Sequence, residues 1–310
     1  MCCFSQPVRS VSQTRVFGRL TNHKSQFVAY QMQYKSDTAN AMILPIPVRK
    51  DANEDSIRFL DLSSYPEFFD DLEQGFPVEH SLAQTDSVQS LSRSAKEVLK
   101  VHKVGGFEAS FVPTASHFSN LDPRFSIAKN IWDKIPEYAD YGFVVFRLHK
   151  LAGEPHPMAF EFDSRLTDAA FLPTVHIHDG EVHQREQFDH ALYIQHPELD
   201  KAAGDYQGHK LWDLSTAWVR SKGTAGNYVD VDRAAKMIDG NLLLHRKILK
   251  GKYANEDQVI DPHRLLYGSV GPVGPFLTTS ALAMGGIGLG SAWFLRRRAQ
   301  VMAAAADSGK

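Results

Sequence analysis

Short stretches rich in Val, Phe, Tyr and Ile, each bounded by polar or turn residues, recur along the first two thirds of the chain. Four of them read TRVFGRL, SQFVAYQMQY, AMILPIPV and GFVVFRLHK. Stretches of this length and composition predict β-strands. We therefore expect a strand-rich α+β domain with a largely antiparallel sheet and flanking helices.

Helical patterns are fewer than strand patterns. Residues 64–76 read SYPEFFDDLEQGF and predict a short helix that begins near a serine and ends at a glycine. Apolar residues recur at helical spacing in residues 123–138. Further helices are expected in residues 211–221 and 231–249. Residues 81–96 contain five serines and predict a surface loop.

The C-terminal region has the pattern of a membrane anchor. No charged residue occurs from Val270 to Leu295, and residues 276–295 are long enough for a helix of about 30 Å, the thickness of a bilayer core. Trp293 lies near one end, and the arginines 296–298 follow directly. We expect a single-pass membrane protein whose partner is the lipid bilayer, with the side that carries the domain left open. A buried C-terminal helix is the alternative.

These patterns predict four regions in the chain. The expected boundaries are a globular domain at 1–251, a linker at 252–275, the transmembrane helix at 276–295, and a basic and then polar tail at 296–310. Hydrophobic residues make up 43% and charged residues 23% of the 310 residues, which is close to average globular usage. The formal net charge is −2, and no Arg/Lys run occurs inside the domain, so nucleic acid is not an expected partner.

Both cysteines of the chain, Cys2 and Cys3, directly follow Met1. Adjacent cysteines close almost no loop, so a bridge between them does not stabilise a fold. Removal of Met1 would leave the free α-amine on Cys2, with a reference pKa near ~7.7–8.0. A thiol beside such a base is an activated nucleophile. Two other interpretations stay open: a small apolar core residue, or a palmitoylated terminal pair.

A second motif follows the cysteines at residues 17–22, which read Phe-Gly-Arg-Leu-Thr-Asn. Together with Met1-Cys2, it resembles the start of N-terminal-nucleophile hydrolases of the choloylglycine hydrolase type. The resemblance implies that Cys2 is nucleophile and base, that Arg19 steadies the thiolate, and that Asn22 lies where the family's aspartate contacts the free amine. The chain departs from the family at Leu20, which replaces an asparagine, and at Asn22 itself.

Seven of the 14 histidines lie in residues 149–196, around the run PTVHIHDGEVHQREQFDHALY. An Asp-Gly pair between alternating apolar residues predicts a two-residue hairpin turn. In that register His176 faces His183 and His178 faces Glu181, all on one face of the hairpin. We therefore expect His176, His178 and His183 to bind a metal, with zinc as the cofactor that this donor set predicts. Residues 189–190, Asp-His, would supply a supporting carboxylate or a further ligand.

Three function classes follow from these motifs. The preferred one is a membrane-anchored hydrolase that cleaves an amide bond of a small molecule or peptide through Cys2. The second is a zinc-binding protein or metallohydrolase that uses the histidine hairpin. The third is a non-catalytic, membrane-anchored binding module in which both features are structural. A pH-sensitive histidine surface is a further interpretation of the hairpin.

Overall fold

A computed structural model describes residues 2–21, 25–76, 101–121, 131, 133–202 and 218–267, and β-strands dominate this part of the chain. The strands are β1 Cys2–Phe4, β2 Val8–Leu20, β3 Ser25–Ser36, β4 Asn40–Ile46, β5 Ile57–Asp61, β6 His102–Val104, β7 Phe107–Val112, β8 Gly142–Leu148, β9 Ala152–Gly153, β10 Met158–Asp163, β11 Ala170–Leu172, β12 His176–Ile177, β13 Arg185–Gln195, β14 Trp218–Arg220, β15 His245–Ala254 and β16 Gln258–Ile260.

Helices are short in the described residues. The α-helices are α1 Phe68–Gln74, α2 Pro197–Ala202 and α3 Pro262–Tyr267, and the 3-10 helices are Glu54–Ser56, Ala115–Asn120, Pro136–Tyr138 and Ala225–Asn227. The predicted α+β class is therefore wrong. The fold is a β-fold in which short helices flank the sheets, because many of the apolar stretches are short runs buried on both faces, as in β4 and β8, and few of them continue at helical spacing.

Two large sheets carry most of the strands. The six-stranded sheet has the order β12-β1-β4-β8-β7-β6, and the eight-stranded sheet has the order β14-β15-β13-β2-β3-β10-β5, with β9 paired to β3. Strands β11 and β16 form a separate pair. In the part of the chain that the structure describes, two strand pairs are parallel, β1 with β12 and β2 with β13. The other pairings are antiparallel.

The main core lies between the two large sheets. Val16, Tyr30 and Phe160 of the eight-stranded sheet share one buried cluster with Leu44 and Phe146 of the six-stranded sheet. Alternation along each strand explains this layer, because every second side chain points toward the facing sheet. The remaining side chains of each strand point away from it and form two further clusters on the far sides of the sheets.

Helix α1 covers one half of the outer face of the eight-stranded sheet. Phe68 and Phe69 are fully buried there, in a cluster with Phe17 of β2 and Tyr193 of β13. The Tyr193 hydroxyl donates to Glu73 Oε2 at 2.5 Å, and Arg246 of β15 pairs with the same carboxylate. The helix predicted in residues 64–76 therefore forms over Phe68–Gln74, and aromatic packing and a shared carboxylate hold it to the sheet.

Three other predicted elements differ from the structure. Residues 231–236 are turns, and β15 begins at His245, so the helix expected at 231–249 is wrong. Residues 211–217 lie outside the described residues, and Trp218–Arg220 is a strand. Strands and α3 continue through residues 252–267, the first part of the expected linker.

The predicted membrane span is also corrected. None of the helices in the described ranges is long and apolar enough to cross a membrane. Residues 276–295, on which that prediction rested, lie outside those ranges, as do the predicted loop at 81–96 and the tail at 296–310. The described residues therefore contain no helix that supports the expected lipid-bilayer partner, and the membrane localisation stays a prediction.

Candidate functional site

The N-terminal strand β1 lies inside the six-stranded sheet, between β4 and β12. Cys2 pairs with His176 and Cys3 with Ile177 in parallel register, while Cys3 and Phe4 pair with Ile43 and Met42 of β4. The Cys3 side chain is fully buried. The start of the chain is therefore an interior strand of the fold.

Asn40 fixes the corner where the chain leaves β1. Its Oδ1 accepts from the Ser5 hydroxyl at 3.0 Å and from the Gln6 amide at 3.1 Å, and its Nδ2 donates to the Gln6 carbonyl at 2.8 Å. These bonds satisfy backbone groups that leave the sheet at this corner. Asn40 is 1% exposed, so these hydrogen bonds lie in the interior of the domain.

Asn255 bonds the edge of β12 that faces away from β1. Its Oδ1 accepts from the His176 amide at 2.7 Å, and its Nδ2 donates to the carbonyls of His176 and His183 at 2.9 Å each. The carboxamide thus bonds β12 as a neighbouring strand would. Two residues further on, Asp257 Oδ1 accepts from the amides of Thr174 and Val175 at 2.7 and 2.9 Å.

A buried histidine pair lies directly behind β1. His176 of β12 and His190 of β13 meet with Nε2 atoms 3.1 Å apart, and the two residues are 4% and 3% exposed. The Phe188 ring packs against both imidazoles, at centroid distances of 4.7 and 4.9 Å. The two large sheets therefore touch through these imidazoles.

Both imidazoles are held neutral by their surroundings. Burial lowers the pKa of His176 to about 3, and repulsion from His178 adds to this effect. Burial and the neighbouring His176 lower the pKa of His190 well below its usual range. In the neutral pair one ring donates its Nε2–H to the bare Nε2 of the other. The Nδ1 atoms of both rings are buried, with no hydrogen-bond partner among the described residues.

The Arg19 side chain forms its hydrogen bonds with a turn at residues 236–237 and not with β1. Its Nε donates to the Met237 carbonyl at 2.6 Å and its Nη2 to the Lys236 carbonyl at 2.7 Å. These bonds hold a turn in which Ala235 and Lys236 have positive φ angles of 49° and 65°. The guanidinium also lies over the Phe27 ring, 4.9 Å from its centroid.

The structure does not bring Arg19 to Cys2. Thr14 pairs with His190 and Arg19 with Gln195 in the parallel ladder, so Arg19 lies five residues, about 16 Å, further along β2 than the histidine pair. Gly18, in the same motif, has a packing role, because a Cβ there would lie 2.5 Å from Leu172 Cδ2. Asn22 lies outside the described residues.

The predicted metal site is corrected. The described residues contain no group of three His, Cys, Asp or Glu side chains that could hold a metal ion. His176 is buried against His190, whereas the His183 Nε2 bonds Asp179 Oδ2 at 2.8 Å on the surface. The predicted hairpin at Asp179-Gly180 is wrong, because β12 pairs with β1. Asn255 Nδ2 bonds the carbonyls of both His176 and His183, in place of the direct pairing that a hairpin would give.

The half of the eight-stranded sheet's outer face that α1 leaves uncovered is a feature that the sequence did not predict. Its side chains come from β15, β13, β2 and β3, and we call it the open face; its principal members are Lys35, Arg185, Ile248, Lys250 and Lys252. Ile248 is 46% exposed in the middle of its strand. The sequence contained a signal in the alternation of residues 248–252, which read Ile-Leu-Lys-Gly-Lys.

No protein family model matches the chain. The chain is similar to the crystal structure of baculovirus P35, with 13% sequence identity, a TM-score of 0.44, and coverage of 84% of this chain and 99% of P35. A mutated baculovirus P35 after caspase cleavage matches with 13% identity and a TM-score of 0.42, covering 81% of this chain and 99% of that one. A caspase-8/P35 complex matches with 10% identity and a TM-score of 0.39, covering 81% and 96%.

Identities and TM-scores this low assign neither a family nor a function to the chain. The metal-binding interpretation is corrected, because the described residues contain no group of side chains that could hold a metal ion. The hydrolase interpretation stays a prediction. The resemblance to choloylglycine hydrolases stays a prediction, and the roles that it implies for Cys2, Arg19 and Asn22 stay predictions with it.

Proposed function

We propose that this chain is a protein-binding module and that the open face is its contact surface. The observation that carries the proposal is Ile248, a large apolar side chain 46% exposed at the centre of a regular strand. Two lysines, at positions 250 and 252, follow it on the same face of the same strand. An apolar centre with a charged rim is the usual anatomy of a protein contact surface.

The scaffold beneath this surface supports a binding role. Leu249, next to Ile248, is 5% exposed and belongs to the core between the sheets. Strand β15 pairs with β13 along ten residues, from Arg185↔Ala254 to Ile194↔His245, without a register shift. The outward side chains are therefore held in fixed positions before a partner arrives, which lowers the entropy cost of binding.

The same strand shows why the other half of the face is unsuited to this role. Arg246 pairs with Glu73 of α1, and its guanidinium lies over Phe76 at 4.5 Å from the ring centroid. Two residues later, at Ile248, no described helix covers the strand. The boundary of the open face thus falls between Arg246 and Ile248.

A site-specific cross-linking experiment tests the proposal. Benzoylphenylalanine is placed at position 248 in the full chain, and at the exposed position 51 as the control, in cells that express the protein naturally. We expect a discrete protein adduct from position 248 and none of that mass from position 51. The adduct is then identified by mass spectrometry, purified and titrated against the chain.

Caspase-8 is a defined purified probe for the same titration, because one of the P35 structures holds P35 in a complex with it. That likeness does not assign caspase-8 as the partner of this chain. An adduct shared by positions 248 and 51, or an identified partner that binds the Ile248→Asp chain as tightly as the unchanged chain, would contradict the proposal.

A further inference from the structure

The turn between β6 and β7 closes one corner between the two large sheets. It consists of Gly105 and Gly106, and β6 lies beside β5 of the eight-stranded sheet. Gly105 has a positive φ of 55°, and a Cβ there would lie 2.5 Å from Asp61 Oδ1 and 2.5 Å from Ser63 Cβ. Glycine therefore lets this hairpin of the six-stranded sheet lie directly against the end of β5.

Two acceptors from the side of the eight-stranded sheet hold this turn. The Gly105 amide donates to the Asp61 carboxylate at the end of β5, and the Gly106 amide donates to His156 Nε2 at 2.9 Å. His156 lies in the segment that leads into β10, and its Nδ1 is 3.1 Å from the Pro157 carbonyl. Both bonds to the glycine amides therefore cross from one sheet to the other.

The bond to Gly106 needs a neutral imidazole. A backbone N–H can only donate, so His156 Nε2 must be bare, and the single ring proton lies on Nδ1 and is donated to the Pro157 carbonyl. A protonated ring carries N–H groups on both nitrogens, so its Nε2–H would face the Gly106 N–H as a second donor. Burial lowers the pKa of His156, against the opposite effects of the Pro157 carbonyl and Asp61.

The charge that acts on His156 across the corner is that of Asp61. Burial opposes the shift, but hydrogen bonds from Ser63 and the charge of His156 lower the pKa of Asp61, so its carboxylate stays charged at pH 5. Glu154, on the segment of His156 itself, pairs with Arg15. Above pH 5 the group of this corner that changes its charge is therefore the imidazole.

The hairpin itself adds one titratable group on the side that faces the core. His102 of β6 lies on the same side of the hairpin as Phe107, and its ring packs against Phe59 at a centroid distance of 5.1 Å. Lys103 and Glu108 stand opposite each other on the other side of the hairpin. His102 is thus the matched control for His156.

We propose that protonation of His156 releases the Gly105–Gly106 turn and opens the corner between the two sheets. The opening exposes Phe107, which is 4% exposed in the closed corner and lies under the His156 ring at a centroid distance of 4.3 Å. Phe107 also packs edge-on against Phe146, at 5.6 Å between ring centroids. Mild acid therefore uncovers part of the core between the sheets while the rest of the fold is retained.

Hydrogen exchange of the full chain, measured by NMR as protection factors, tests this inference. The protection factor of the Gly106 amide should fall about threefold or more between pH 7.5 and 5.0, because the open corner leaves the imidazole free to take up a proton. Amides of the β13–β15 ladder should stay better protected than Gly106 at both pH values. That difference shows that Gly106 exchanges through a local opening.

Two glutamine variants separate His156 from the other histidines. In His156→Gln the amide oxygen still accepts from Gly106 but takes up no proton, so the protection factor should change less than twofold between the two pH values. His102→Gln should keep the loss of the unchanged chain. Fluorescence of anilinonaphthalene sulfonate should rise at pH 5.0 in the unchanged chain and in His102→Gln, and rise less in His156→Gln. Urea midpoints at pH 7.5 show that both variants are folded.

Three results would overturn the inference: no loss of protection at Gly106, an equal loss in His156→Gln and the unchanged chain, or a loss that disappears in His102→Gln. If His156→Gln does not fold, the unchanged chain alone supplies the test. The midpoint of the loss at Gly106 must then coincide with the titration of the His156 ring in the same NMR samples, and a different midpoint overturns the inference.

Discussion

At the residue scale, the buried pair of His176 and His190 makes stability depend on pH. Their pKa values are lowered on folding, so the unfolded chain binds more protons below pH ~6.5. Stability is complete above that pH and falls as the pH drops toward 3. At pH 5 we expect a loss of about 2 kcal/mol from His176 relative to pH 8, and a further loss from His190 in the same direction. Urea unfolding at several pH values in this range measures how the free energy of unfolding changes with pH, which is the slope in question.

A double variant, His176→Gln with His190→Gln, isolates this effect. Two amides keep a hydrogen-bonded pair but cannot take up a proton near pH 5, so the part of the slope that these two histidines cause should disappear. The part from His156, His196 and His245, whose pKa values burial also lowers, should remain. His183→Gln is the control, since the pKa of His183 is raised by its bond to Asp179. Removal of that group should leave the acid-side loss in place. An unchanged slope in the double variant would show that other groups cause it.

Arg19 is a second residue whose role is structural in this account. Its two donors satisfy the carbonyls of a turn with positive φ angles, so Arg19→Met should lower the free energy of unfolding by about 2–3 kcal/mol. Arg19→Lys should recover about half of this, because an ammonium lacks the fixed fork of a guanidinium. Urea denaturation measures both variants. A loss below 0.5 kcal/mol in Arg19→Met would contradict the role.

At the scale of elements, strand β12 depends on side chains from outside its own sheet. Asn255→Ala removes three hydrogen bonds to the backbone of His176 and His183, and should cost about 2 kcal/mol. Asn255→Asp keeps an acceptor for the His176 amide and should cost less. Hydrogen exchange should accelerate at residues 176–177 while the β13–β15 ladder stays protected. Equal acceleration in both regions would contradict a stabilisation by Asn255 that is confined to β12.

Local sequence patterns predicted some elements and missed others for physical reasons. Helix α1 was found because its glycine end and its apolar spacing act within one short segment, although it begins after Glu67 and not at the predicted serine. The Asp-Gly hairpin was wrong because residues 176–177 pair with the N-terminal strand, more than 170 residues away in sequence. Short-range turn preference cannot detect such a partner. Residues 245–249 were mistaken for the end of a helix because they pair with β13, a partner that lies far away in the sequence.

At the scale of the whole molecule, the position of the site was harder to predict than the abundance of strands. Cys2 and Arg19 form one motif in the sequence, yet Cys2 belongs to the six-stranded sheet and Arg19 to the eight-stranded sheet. The open face is assembled from four strands that the chain visits at residues 8–36, 185–195 and 245–254. Its exposure depends on where α1 ends, and that packing is not encoded in any one segment.

The central claim is that the open face binds a protein and that this binding does not depend on the N-terminal cysteine. The most direct measurement is the dissociation constant of the partner cross-linked at position 248, by isothermal titration calorimetry, for three chains. We predict that Ile248→Asp combined with Lys250→Glu weakens binding at least tenfold, and that Cys2→Ala binds like the unchanged chain. Unchanged binding in the first variant together with lost binding in Cys2→Ala would contradict the account.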